Sequence, residues 1–538
     1  MQKKLIKVQA EDNVAIALVD LKEGDRVEYE GEEILILSDT KAKHKIAYID
    51  FHVNDLIYMY GVLVGKAMFS IKRGDLLTTE NVKHQSDLVE GKTNTILWNA
   101  PNITNWKDRT FMGYHRSDGQ VGTKNVWLFF PLVFCENRNI EILKDVFEKE
   151  LSLGKQRNQR QLLRNLIEEK DTDFSDVVDV DKNRTFDNID VKFITHQGGC
   201  GGIRQDAQVL AKLLAGYVKN PNVAGATVLS LGCQNLEINL FKEALNTIDP
   251  LLNKPVLIYE QQQMGSHDDM LNIIIKESFA GIKKANTIER KPASISNLKL
   301  GLECGGSDGF SGISANPALG YVSDILAAVG GSPILSEFPE LCGVEQELVN
   351  RCVNMSDAER FIDLMRDYEK SAIAVGSGFD MNPSPGNIKD GLITDAMKSA
   401  GAAKKGGTSP IQAVLDYGEY VTKPGLNLLC TPGNDVESTT GMVGSGATVV
   451  VFTTGLGTPT GNPIAPVLKV SSNTILKERM QDIIDIDSGG IIKGEKTIQE
   501  MGEEILEYII QVASGKVEAK ADILGQDDFI PWKRGVSL

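Results

Sequence analysis

The chain has 538 residues, 42% of them hydrophobic and 24% charged, with a formal net charge of −16. That length exceeds one ordinary core and implies about two to four domains. The acidic balance excludes a general nucleic-acid-binding surface, which needs clustered Lys and Arg, and requires any anionic small molecule to be held by a local cationic site.

No window approaches the ~20 apolar residues of a membrane-spanning helix. Met1–Ile6 is not followed by the apolar core of a signal peptide, so the cytoplasm is the expected location. Cysteines at 135, 200, 233, 304, 342, 352 and 430 include no CxxC pair. An odd, dispersed set argues against a disulfide framework.

In chain order, short alternating runs at 5–8, 14–18, 26–29, 34–37, 45–48 and 63–67 are separated by turns such as Lys22-Glu23-Gly24-Asp25 and Lys72-Arg73-Gly74-Asp75. Strands at this spacing predict a small β-rich module over residues 1–90. Residues 91–110, with Asn and Trp scattered through them, are expected to be a linker. The polar, glycine-rich stretch Gly113–Asn125 precedes an apolar run at 126–134, predicted as a buried strand, and a helix at 140–150. The charged segment 155–181 predicts a solvated helical excursion. Strands at 191–195, 226–231 and 256–259 then alternate with helices at 203–217, 237–248 and 268–284, which predicts a parallel sheet in an α/β domain over 111–296.

A second α/β domain, 297–538, begins with a strand at 298–302, a polar loop to Gly320 and a helix at 321–329. It continues through a strand at 332–336, a long helix at 344–368, a polar loop at 376–392, strands at 426–429 and 448–453, and a helix-rich acidic tail from 474. The expected class is α/β: a small N-terminal β module before a large two-part body with mainly parallel sheets.

Four strand ends, around Cys200, Cys233, Cys304 and Cys430, combine glycine with thiol, acid or hydroxyl groups. Backbone N–H groups in such loops bind carboxylate or phosphate oxygens. Neither GxGxxG with its acidic partner nor GxxxxGK[ST] is present, so dinucleotide and P-loop readings are poor. Gly305–Gly309 fits Gly-x-Ser-x-Gly, but loop residues continue to Pro317 where a nucleophile elbow needs its helix, and no His follows His267. His115 and His196 lie in glycine loops and His44 in the β module; each is a candidate ligand or proton carrier, or a solvated side chain. Arg116 and Lys124 flank Asp118 and form either a carboxylate clamp or surface ion pairs.

Gly113–Asn125, Cys304–Gly320 with Gly330–Glu337, Pro385-Gly386-Asn387, Lys405–Thr408 and Thr431-Pro432-Gly433 together resemble the altronate/galactarate dehydratase family over essentially the whole chain. The resemblance implies an N-terminal SAF-type module and removal of water from a hexonate or hexarate, D-altronate foremost, giving a 2-keto-3-deoxy acid. It also implies a divalent metal, iron(II) foremost and Mn(II) as another choice, and a homo-oligomer, expected as a dimer, with no nucleic-acid or membrane partner. The implied site residues are Asp308, His115, His196 and Cys304 for catalysis, with Asp308 or a nearby His as the base. Arg116, Asp118, Lys124, Asn125, Ser307 and Thr431 are implied for substrate binding, and His44, Glu80 and Glu337 for the metal. The family's His-x-His-Asn stretch aligns on Thr78–Asn81, where both His are absent and Glu80 is offered as an oxygen ligand. Cys135–Arg138 keeps only the Cys of its segment. Related chemistry is a lyase expelling sulfite from sulfolactate, and a third reading is a sugar-acid binder without turnover.

Overall fold

The computed structural model describes residues 3–94, 97–153, 158–168 and 184–537. Eight short strands between Leu5 and Lys83 form three small antiparallel sheets. Two of them, Leu56–Met59 and Val82–Lys83, were not expected from the sequence pattern; both pair with Val62–Ala67. Because side chains alternate along a strand, Val14–Ala17 serves two cores. Ala15 and Ala17 pack with Val27, Ile34 and Ile46 inside the module, while Val14 and Ile16 join the core of the body.

The strand Thr110–His115 pairs antiparallel with Val121–Gly122 and with Lys291–Ser294. The glycine-rich stretch expected to open as a loop at Gly113 therefore starts inside a strand.

A four-stranded parallel sheet follows, made of β1 (Val126–Pro131), β2 (Asp190–Phe193), β3 (Val223–Ser230) and β4 (Val256–Glu260) in the order β2-β1-β3-β4. β1 and β3 are buried along their whole length, as strands covered by helices on both faces are. The helices are α1 (Asn137–Glu150), α2 (Arg204–Lys219), Ile238–Ile248 and His267–Ala285. Of the charged excursion expected at 155–181, a helix covers Asn158–Ile167, and residues 155–157 and 169–181 lie outside the described residues.

The second sheet has seven parallel strands: β5 (Lys299–Cys304), β6 (Ser332–Leu335), β7 (Ile411–Leu415), β8 (Leu426–Leu429), β9 (Val449–Thr454), β10 (Val467–Ser471) and β11 (Ile486–Asp487), ordered β7-β8-β6-β5-β9-β10-β11. The chain moves outward from β5 to β6, then returns past β5 to β9, so the order reverses between β5 and β9. Open α/β sheets bind ligands at the carboxyl ends of strands beside such a reversal. The helix expected over 344–368 is two, Glu345–Arg351 and Met355–Ala374. It breaks where the Val353 N–H donates to the Ile411 carbonyl of β7.

Three helices matter for the site: α3 (Ala315–Ala328), α4 (Asp395–Ala403) and α5 (Asp435–Gly444). Thr394 caps α4 by accepting from the Met397 N–H, and its hydroxyl donates to the Val64 carbonyl of the β module at 2.8 Å. The module seats a loop against the body: a Cβ on Gly309 would lie 2.1 Å from the Lys43 carbonyl oxygen, so only glycine permits that approach. The sheets abut through α2 and α5, whose apolar faces share a core with β1, β3, β8 and β9. No described helix is long and apolar enough to cross a membrane.

Candidate active site

Polar groups gather, buried, at the carboxyl ends of β5, β6 and β8. Cys304 ends β5. Glu337 follows β6 and holds a left-handed backbone, φ 64°, unusual for a residue with a side chain. Its N–H donates to Thr431 Oγ1 at 2.8 Å, so the loop after β8 fixes that turn.

The Glu337 carboxylate accepts the Cys304 N–H at 3.1 Å and pairs with the Lys405 ammonium. Lys405 Nζ also donates to Cys304 Sγ at 2.8 Å, and the thiol lies 3.3 Å from Glu340 Oε2. On the other side of Glu340, Oε1 accepts from Lys398 Nζ at 2.6 Å and from Asn382 Nδ2 at 3.2 Å. Glu303 sits behind Glu337, and its Oε2 accepts from Ser438 Oγ at 2.7 Å. Glu303, Cys304, Glu337, Glu340, Lys398 and Lys405 are all buried.

The charges settle as follows. Burial, then the neighbouring Glu337, push the Glu303 carboxyl well above the usual range, so it keeps its proton and hydrogen-bonds to Glu337. Burial, then Glu337, raise the Cys304 thiol as well, leaving it neutral. Burial opposes the Lys405 ammonium, but the Glu337 and Glu340 carboxylates together hold it charged. Burial likewise opposes the Glu340 carboxylate, and Lys398 outweighs it. Two carboxylates thus face two ammonium groups, and the cluster is neutral, as a buried ionic group must nearly be. Half-buried Asp435 stands at the start of α5 against Gly305, its carboxyl pushed up to about 7 by burial and then by Glu337.

Cys304 Sγ and one carboxylate oxygen each from Glu337 and Glu340 lie within 4.8 Å of one another, the one such three-ligand group among the described residues. Glu337 Oε1 meets no donor other than the protonated Glu303. A thiol with two carboxylates suits a borderline cation such as Fe(II), so this set fits the expected divalent metal. Lys405 holds the same sulfur and carboxylate, and the ammonium and a metal ion compete for those atoms.

The other expected ligands stand apart. Glu80 is exposed, with its N–H bonded back to Thr78 Oγ1. His44 Nδ1 contacts the Ala42 carbonyl at 3.2 Å, and burial lowers its pKa. His44, Glu80 and Glu337 therefore do not assemble as one ligand set, because the loop bearing His44 turns its lysines, not its imidazole, toward the body. Lys43 Nζ reaches Asp308 at 3.0 Å and Asp390 at 3.2 Å.

Asp308 is buried with its lone pairs engaged. Oδ1 accepts from the Phe310 and Ser311 N–H groups and from the Ser311 and Ser472 hydroxyls, while Oδ2 meets Lys43 and Asn473 Nδ2. A carboxylate so occupied organises its loop. Ser307 is buried, and its carbonyl accepts from Asn387 Nδ2 at 2.7 Å.

The expected residues of the four-stranded domain serve its architecture. His196 is buried, its Nε2 on the Pro131 carbonyl at 2.8 Å and its Nδ1 accepting the Gly198 N–H at 3.1 Å. His115 is exposed against the Pro292 carbonyl. Arg116 does not clamp a free carboxylate with Lys124: it donates to the Pro221 carbonyl and Asn125 Oδ1, while Asp118 binds Gln120 and Lys124 pairs with Asp522 at 2.8 Å. Asn125 Nδ2 donates to the Asn188 and Ala285 carbonyls.

The sequence reading missed Glu303, Glu340, Lys398, Lys405 and Asp435 as site residues. One signal was present: Glu303 interrupts the apolar strand Leu300–Cys304, and Lys398 and Lys405 bracket a run of small apolar residues.

Comparison with known proteins agrees with this architecture. Three family models match in succession: the altronate/galactarate dehydratase SAF domain over residues 3–85, the D-galactarate dehydratase/altronate hydrolase second domain over 113–286, and the D-galactarate/altronate dehydratase C-terminal domain over 295–537. An altronate dehydratase of Bacillus subtilis is 34% identical over 538 residues, all of both chains. An altronate dehydratase of Escherichia coli is 33% identical over 95% of each chain, and its galactarate dehydratase (L-threo-forming) 32% identical over 97% of this chain and 94% of its own. With matches running from the β module to the last strand, the chain belongs to the D-galactarate/altronate dehydratase family of hydro-lyases.

Proposed function

We propose that the chain dehydrates a sugar acid, D-altronate first among hexonates and hexarates, to a 2-keto-3-deoxy acid. The observation that carries the reading is the buried convergence of Cys304, Glu337, Glu340 and Lys405 at the strand ends beside the reversal between β5 and β9. Dehydration breaks C2–H and C3–O; the proton and the hydroxyl depart, and the resulting enol becomes the keto acid. The C2 proton is weakly acidic, so the negative charge growing on the adjacent carboxylate must be met by a fixed cation. Lys405 and Lys398 supply it from a site where water does not screen it. In this reading Asp435 takes the C2 proton, since its carboxylate is less enclosed than the others. Glu303, protonated beside Glu337, returns a proton to the C3 hydroxyl so that it leaves as water.

A divalent metal, Fe(II) or Mn(II), would be held by Cys304, Glu337 and Glu340 and would supply Lewis acidity toward the substrate carboxylate. The test is a panel of hexonates and hexarates with keto-acid formation as readout, on protein loaded with Fe(II). Altronate turnover is expected, and Asp435→Asn, folded by circular dichroism, should slow it by about 10²- to 10⁴-fold. No keto acid from any member of the panel refutes the reading; sulfite release from sulfolactate redirects it to a different β-leaving group.

A further inference from the structure

We propose that Cys135, Cys200 and Cys233 form a three-thiolate site for an iron–sulfur cluster, separate from the cluster of side chains at Cys304. Cysteine used for packing is buried, as Cys352 and Cys430 are; Cys135, Cys200 and Cys233 are exposed. They stand in the loops that leave the carboxyl ends of three adjacent strands, β1, β2 and β3, with β1 in the middle of the order β2-β1-β3.

The loops are stitched edge to edge beside the thiols. The Phe134 N–H, next to Cys135, donates to the Gly198 carbonyl at 3.1 Å, and the Leu236 N–H donates to the Gly199 carbonyl, next to Cys200, at 3.0 Å. Gly199 has φ 94°, and a Cβ there would lie 2.1 Å from the Leu132 carbonyl oxygen, so the Cys200 loop rests directly on the one bearing Cys135.

Two further groups point to a ligand. Gln262 Nε2 lies 3.4 Å from Cys233 Sγ, the kind of hydrogen bond to sulfur that sets a cluster's potential. Glu136, beside Cys135, is buried with Oε1 lacking any partner.

Spacing selects the kind of group. A single tetrahedral ion with bonds of ~2.3 Å needs its thiolates ~3.8 Å apart. Among the described residues no such trio lies within 4.8 Å at this edge. A polynuclear cluster takes each thiolate on a different iron and spreads them wider. Loading from a preformed cluster is ligand exchange: three S–H bonds break, three S–Fe bonds form, and three protons leave with the small thiols displaced, without electron change. With three protein ligands, one iron keeps an external ligand.

The site stands independently of the proposed dehydration, and its test does not read turnover. The full chain, handled without oxygen, is treated with a preformed [4Fe–4S] cluster ligated by a small thiol, desalted, and assayed for iron, acid-labile sulfide and visible charge-transfer absorption. Equal amounts of iron and sulfide are expected on the wild type and on Cys304→Ser and Cys352→Ser, with at least about a tenfold loss on Cys135→Ser, Cys200→Ser or Cys233→Ser. Alkylation of the three exposed thiols should be suppressed in the loaded protein, which checks the site in unmutated chain. Wild type that retains no sulfide, variants of the three that keep it, or alkylation unaffected by loading overturns the proposal.

Discussion

His196 provides the sharpest test of the assignment of side chains to architecture or chemistry, because a catalytic imidazole and a structural one titrate differently. Its Nδ1 accepts the Gly198 N–H, so the ring proton is on Nε2, where it donates to the Pro131 carbonyl. Adding a second proton would aim an N–H at an N–H in a buried site. Burial accordingly lowers the pKa from 6.5 to about 4. A folded-state value below the unfolded one means the stabilisation is complete above pH ~6.5 and is lost as pH falls toward 4; at ~1.36 kcal/mol per unit that is about 3 kcal/mol. Global melting of a chain this size does not report one transition, so the readout is local. Ring-labelled histidine gives six resonances to follow by NMR, with His196→Gln identifying the one in question. The His196 signal should stay neutral until the loop opens in acid, and hydrogen exchange at Gly198 should accelerate over the same interval, beyond the intrinsic pH effect. A titration midpoint near 6.5 with the loop intact refutes the structural assignment and restores His196 as a proton carrier.

Lys405→Met should cost about 3–5 kcal/mol of local stability by stranding the Glu337 carboxylate in the core; adding Glu337→Gln should recover much of it, both read by hydrogen exchange at the Cys304 and Glu337 amides. His84 pairs with Asp395, which raises its pKa against the opposing effect of burial. That contribution is fully present below pH ~6.5 and is lost as pH rises through the raised folded value, so proteolysis of the β module should quicken across that interval in wild type and show no such step in His84→Ala. Arg116→Ala removes partly buried bonds to the Pro221 carbonyl and Asn125. It should quicken hydrogen exchange in the hairpin around Asn125 while leaving KM for the sugar acid unchanged; a KM effect without that local loosening would place Arg116 in substrate binding instead.

What could be read without coordinates follows from periodicity. Val449–Thr454 is a run of β-branched and aromatic residues, and runs like it announce buried parallel strands wherever they occur. The strands Val467–Ser471 and Ile486–Asp487 lie in mixed sequence, with Lys469 and Asp487 among the apolar residues, and take their conformation from pairing rather than propensity. The site was half legible for a related reason. Cys304 stands at the edge of a glycine loop and Glu337 at a strand end, where polar residues attract notice. Glu303 is hidden inside an apolar strand and Lys405 in a lysine–glycine turn that reads as solvated, and only the three-dimensional pairing of buried acids with buried bases makes such residues energetically tolerable. His115, Arg116 and His196 show the converse: polar residues among glycines also satisfy backbone groups where two sheets and a hairpin meet.

The helix α4 explains why a small β module accompanies a large catalytic body. Its amino end is held by the module, through Thr394 on the Val64 carbonyl and Asp395 on His84. Its next turn delivers Lys398 to Glu340, and the turn just past its carboxyl end delivers Lys405 to Cys304 and Glu337. Both ammonium groups that neutralise the buried carboxylates are therefore carried by one short helix whose start is fixed by another domain. On the opposite side Lys43 of the module closes on Asp308, in the loop that follows Cys304. Displacing the module would release two anchors at once, and the cost would fall on a neutral cluster that cannot lose a lysine without stranding a carboxylate in a core that does not solvate it. The module is in this sense part of the electrostatics of the site.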